Sequence, residues 1–226
     1  GGYLVGSKLL SPTVGMISGC ALIIDYVLTI TISVSSGTDA LFSFLPGSMQ
    51  AHKLSIAIGG VCLLILLNLR GVKESVVSLS PIFVIFIASH IFVIIYAIAI
   101  KASDFQAVSL ETSTQLHSSI SQLGIWGTLF IILKAYSMGA GTFTGIEAVS
   151  NGIPILREPR VITAKHTMRY MAFSLSFIVM GLMLAYLLYN VSLQPGKTLN
   201  ATLFEQVTAQ WKMGYIFVFT ALISEA

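Results

Sequence analysis

Charge is what this sequence has least of: Asp, Glu, Lys and Arg together make up 9% of its 226 residues. A soluble domain carries roughly 25%. With 55% of the residues hydrophobic, too little polar surface remains to coat a globule in water, so lipid must solvate most of the exterior. The net charge is +3, and no run of Lys and Arg is dense enough to grip a phosphate backbone, which excludes nucleic acid as a partner. Cysteine is almost absent. Cys20 and Cys62 are isolated in apolar stretches, which excludes a disulfide framework or a zinc site and leaves them as small packing hydrophobes. The histidines are scattered, and neither a metal nor a cofactor is expected. There is no initiator Met and no signal peptide. The chain opens on Gly1 and closes on Ala226 inside an apolar run, so both ends are expected to be cuts.

Long apolar runs are what the sequence has in excess. About 20 helical residues cross the roughly 30 Å of hydrocarbon in a bilayer. Runs of that kind are expected at about 12–44, at 54–69 (short), at 76–100, at 125–156 and at 170–191, with a sixth beginning near Met213. Backbone polar groups in lipid must satisfy one another, so these are read as helices. The alternating short strands of a membrane barrel are not visible. The fold class is therefore all-α, a multi-pass helix bundle whose principal partner is the lipid bilayer.

Loop charges give the orientation. One set of loops holds Lys8, Arg70, Lys73, Arg157, Arg160, Lys165 and Arg169, and the opposite set holds Lys53, Lys101, Lys197 and Lys212. The bias places the 157–169 loop in the cytoplasm and the 192–212 loop outside. In that outer loop Leu199, Leu203, Val207 and Trp211 recur every fourth residue, one stripe of a helix lying on the protein or membrane surface. Asn190 and Asn200 each begin a glycosylation sequon facing outward.

Ionisable groups at membrane depth are functional candidates because they are expensive to place there. Four qualify: Asp25, His90, Lys134 and Glu147. At 100° per residue, Ser18, Asp25, Thr29 and Ser36 fall within about 40° of one another, with Ser33 beside them. This polar stripe either lines a watery pathway or bonds neighbouring helices together. His90 reads as a hydrogen-bonded packing residue before a proton relay. Lys134 either pairs with Asp25 or Glu147 or lines a cavity.

The fourth run is dense in glycine, with Gly139, Gly141 and Gly145, all poor helix propagators. Thr144 followed three residues later by Glu147 has the form of a capping box, a helix start. A start inside a span means a broken helix, tolerated where the freed backbone lines a cavity or binds something. The alternative is a Gly141/Gly145 packing face on an unbroken helix.

The stretch from Gly139 to Pro154, followed by Arg157-Glu158-Pro159, resembles the sixth transmembrane helix of amino-acid permeases of the amino acid–polyamine–organocation (APC) superfamily. The segment Leu22 to Thr29 is similar to the family's third helix, and Leu67 to Ser75 to its fourth-to-fifth connection. The likeness runs along essentially the whole chain and implies a LeuT-type fold, two inverted five-helix repeats whose first helices break around a central site. The chain would then hold helices three to seven and the start of eight, as one incomplete transmembrane domain. The implied function is secondary active transport of an amino acid or organic amine across the cell membrane by alternating access. A channel, a non-transporting scaffold and an intramembrane enzyme are the rivals. The last is the weakest, since no Ser or Cys has a His and an acid at helical spacing. Some proton-coupled relatives carry a Lys near the start of the fifth helix. The matching stretch, Ser75 to Pro81, has none, and the coupling ion, sodium or proton, stays open.

On this mapping the backbone from Tyr136 through Ser137, Met138, Gly139, Gly141, Thr142 and Phe143 to Thr144 and Gly145 faces the substrate. The carbonyls where the first half-helix ends suit an ammonium group. Tyr136 and Phe143 are the aromatic gate candidates, and Thr144 and Glu147 hold the helix restart. Asp25, Thr29 and Lys134 are supporting or coupling candidates.

Overall fold

A computed structural model describes residues 2–69, 71–139 and 146–226, with side chains described at all of these except 72–74 and 146–148. Among the described residues the chain is helical with no strand. Five helical segments are long and apolar enough to cross a membrane: Pro12–Phe42, Gly47–Leu69, Ser75–Ile100, Ala102–Gly139 and Arg160–Leu188. Four of them follow the predicted runs, whereas the fourth, Ala102–Gly139, begins well before the predicted 125–156; the protein is an all-α, multi-pass integral membrane protein.

The elements are α1 (Gly2–Leu9), α2 (Pro12–Phe42), α3 (Lys53–Leu69), α4 (Val72–Ile100), α5 (Phe105–Gly139), α6 (Ile146–Asn151), α7 (Arg160–Leu188), α8 (Leu199–Thr208) and α9 (Gly214–Glu225). Local chemistry sets several boundaries. Ser11 caps α2, its Oγ accepting from the Val14 amide at 3.2 Å, and Pro12 supplies the pre-set φ of a first helical residue. Thr198 caps α8, its hydroxyl accepting from the Ala201 amide at 3.2 Å. Gly124 interrupts α5 with φ 71° and ψ 168°, a left-handed geometry that favours glycine. It separates a polar helix, 105–123, from the apolar span that begins at Ile125, where the sequence placed it. Neither the polar helix nor α1 was visible as an element in the pattern of apolar runs.

The chain divides into two compact units. Unit 1 comprises Gly1–Thr29 and Phe105–Val179, and unit 2 comprises Ile30–Asp104 and Met180–Ala226. In unit 1, α1 lies close on the start of α2, where a side chain at Gly15 would collide with Ser7. In unit 2, α8 and α9 pack on each other and on α4, and α3 also packs on α4. Gly181 of α7 passes so near α4 that a Cβ there would lie 2.5 Å from the Ile94 side chain. The outer-loop stripe proves to be a core element. Ala201, Thr202, Leu203, Phe204, Val207 and Thr208 of α8 are buried, so this helix lies on the protein rather than on lipid.

Candidate functional site

In unit 1 the first part of the polar stripe of α2, Ser18 and Asp25, meets the end of α6. A cavity of about 480 Å³ is lined by Gly2, Tyr3, Ser18, Ala21, Leu22, Asp25, Ser150 and Asn151. Ser18 and Asp25 are seven residues apart, two turns of one helix face. Across from them stand Ser150 and Asn151, the last two residues of α6. The amide nitrogen of Asn151 donates to the Tyr26 hydroxyl at 2.7 Å, which fixes the orientation of the amide. Its oxygen is buried and has no hydrogen-bond partner among the described residues. A buried polar atom without a partner is costly, and an amide oxygen can accept from a donor or bind a cation. With the Asp25 carboxylate and the two serine hydroxyls, the cavity wall carries hard oxygen ligands from two elements. Oxygen donors of this kind suit a hard cation.

Of the sequence-derived candidates, Asp25 lies in this cavity wall. Thr29, one turn further along α2, is half-buried but is not part of the lining. Lys134 is exposed and forms no ion pair with Asp25 among the described residues. Tyr136, Ser137, Met138 and Gly139 form the exposed last turn of α5. Gly141, Thr142, Phe143, Thr144 and Gly145 lie outside the described residues, as does the side chain of Glu147. The flanking helices end at Gly139 and begin at Ile146. Ser150, Asn151 and Tyr26 were missed as site residues. The signal is present in the sequence: an Asn inside an apolar run is costly to place at membrane depth, as a charge is.

In unit 2, His90 is 1% exposed. Its Nδ1 lies 2.9 Å from the Phe86 carbonyl oxygen, so the tautomer with the proton on Nδ1 donates there. The ring is held between Phe86 and Phe204, at centroid distances of 4.1 and 5.3 Å. This environment favours the packing role for His90. Asn200 is bonded at both ends of its amide and Thr202 of the same sequon is buried, so the folded chain leaves that sequon unavailable to a glycosylating enzyme.

A model of a family described as amino acid permease matches residues 1–225. Among curated proteins, the potassium transporter KimA of Bacillus subtilis (strain 168) is 32% identical over 200 residues, which cover 88% of this chain. The match takes in only 32% of the length of that relative, so the chain corresponds to a minor part of it.

Proposed function

The chain belongs to the amino acid permease family, and on that footing we propose that it forms part of a secondary transporter of the cell membrane that carries potassium ion. The observation behind this reading is the cavity wall of Asp25, Ser18, Ser150 and Asn151 with its unpartnered amide oxygen. Potassium is stripped of water by rings of oxygen ligands, neutral carbonyls among them. The Asp25 carboxylate adds a charge that compensates part of the cost of bringing a cation to membrane depth. The similar KimA is named a potassium transporter, which agrees with that ligand chemistry.

A second reading, an amino acid or organic amine as cargo, is favoured by the matching family, described as amino acid permease. In both readings the cargo presents a positive charge. Alternating access around a site near the midplane is the expected mode for either.

Uptake into vesicles containing the full-length protein separates these readings. Labelled potassium should enter saturably, exchange in counterflow, and be competed by rubidium but not by amino acids. Saturable uptake of an amino acid without potassium uptake would establish the second reading instead. Passive, non-saturating flux would show a channel and refute both.

A further inference from the structure

Glu225 of α9 belongs to unit 2. Its Oε1 accepts from the Asn200 amide nitrogen at 2.7 Å. The amide oxygen of Asn200 in turn accepts from the Tyr186 hydroxyl at 2.5 Å. Three helices, α7, α8 and α9, thus meet in one hydrogen-bonded chain that ends at a carboxyl group. The other carboxyl oxygen, Oε2, is buried and has no hydrogen-bond partner among the described residues. Nearby on α9, Val218, Ala221 and Leu222 are buried apolar residues.

Among the described residues, a carboxylate in this place has one neutral amide to share its charge and one oxygen without a donor. Ionised, it bears the full cost of a buried, half-satisfied charge; with a proton on Oε2 the charge is gone, and Oε1 still accepts from Asn200. The titratable groups on the neighbouring elements do not relieve it. Asp39 of α2 is paired with Lys53, Glu205 of α8 is paired with Lys197, and His90 of α4 is bonded to the Phe86 carbonyl. Tyr186 of α7 is already committed to Asn200. Among the described residues no cation forms an ion pair with Glu225.

We propose that Glu225 is a proton-binding site whose loaded form holds α8 against α7 and α9 through Asn200 and Tyr186, and that loading and release of this proton are coupled to transport. The coupling half of the proposal rests on the transporter reading above; the proton site does not. When the contact between α8 and α9 opens, water reaches Oε2, the proton passes to that water, and the carboxylate left behind is solvated. Closing reverses the transfer.

The test uses the full-length protein and two readouts. Gln has the shape of the protonated acid and can still accept from Asn200, so Glu225→Gln should insert and fold like the parent. The infrared band of a protonated carboxyl, recorded at neutral pH, should be present in the parent and lose one residue's worth of intensity in Glu225→Gln. Uptake driven by a pH gradient should fall in the variant to the level seen without a gradient, while counterflow exchange continues. An unchanged infrared band would overturn the proton site. A lost band with gradient-driven uptake retained would overturn the coupling. Should the parent move neither potassium nor any amino acid, the transporter reading fails, and the infrared comparison still decides the proton site. If Glu225→Gln fails to insert, Tyr186→Phe replaces it. Removing the hydroxyl loosens Asn200, and the same band should then shift or weaken; a band identical to the parent's would count against the chain of bonds.

Discussion

Unit 2 holds a packed core, in which Phe42, Phe204, Ile94, Leu203 and Leu222 are each at most 1% exposed, while Leu54, Leu69 and Leu193 of the same unit stay on the outside. In unit 1 comparable side chains lie outside, with Trp126 80% exposed and Tyr136 and Phe173 each 75% exposed. The difference follows from connectivity. Unit 2 has short helices, α8 and α9, that fold back on α4 and bring aromatic residues into one cluster of Phe92, Tyr96, Phe204, Trp211 and Phe217. Unit 1 is made mainly of long spans whose apolar faces await lipid or further protein. Its polar features are Ser18 and Asp25 of α2, the end of α6 and the cavity they line. One unit is held by a core, and the other holds the chemistry. Changes in unit 2 should therefore damage stability first, and changes in unit 1 should damage transport first.

The sharpest break in that contrast comes from Gly141→Leu. A bulky side chain in the glycine-rich stretch would favour an unbroken helix and fill the space a ligand needs, so uptake should fall to background while membrane insertion is unchanged. Uptake normalised to surface expression checks it, and parental uptake would mean an ordinary packed span. Glu147→Gln should reduce uptake less, because Gln also serves in a capping box.

Next in size is Phe204→Ala in α8. Emptying a fully buried phenylalanine site costs about 3–5 kcal/mol, and the ring also packs on His90 and Phe217. A lowered melting temperature of the purified full-length protein is the expected result. A stability equal to the parent's would mean that unit 2 is not the packed half.

Tyr26→Phe sharpens the comparison from the other side. It removes the acceptor of the Asn151 amide, a part-buried bond of 2.7 Å, and should cost about 1 kcal/mol. Its effect on stability should be smaller than that of Phe204→Ala and its effect on uptake larger, because Asn151 loses the bond that orients its free oxygen.

The smallest effect belongs to Lys101, whose ammonium lies 2.9 Å from the Asp104 carboxylate at the exposed end of unit 2. Asp104 raises the Lys101 pKa above its ordinary value. A raised lysine pKa means the pair's contribution is complete below the unfolded-chain value, about pH 10, and is lost only as pH climbs through the raised one. Melting curves from neutral pH to about pH 9 should therefore show no change attributable to this pair. Lys101→Ala should shift them little, as expected of an exposed pair.

Much of this was legible in the sequence. Five spans could be placed because hydrophobic length is a strong signal, and the start of the fourth span at Ile125 needed only the polar-to-apolar change that Gly124 marks. Asp25 stood out because a carboxylate in an apolar run has few bland explanations. The polar helix 105–123 was missed because it buries little, so its sequence has no stripe to read. The burial of α8 was half-read: the spacing of Leu199, Leu203 and Val207 gave the helix, but only the tertiary fold says that its apolar face meets α4 and α9. The hydrogen-bonded chain from Tyr186 to Glu225 joins residues far apart in the sequence, and no local pattern announces it.

The measurement that bears most directly on the cavity is the thermal stability of the purified full-length protein as potassium is raised at constant ionic strength. A ligand that binds only the folded state stabilises it by about 2.7 kcal/mol at a hundred times its dissociation constant. The melting temperature should climb with potassium, climb less with sodium, and stop responding in Asp25→Asn. A parent protein indifferent to potassium, or an Asp25→Asn variant that responds as the parent does, would contradict a cation site built on Asp25, Ser18, Ser150 and Asn151.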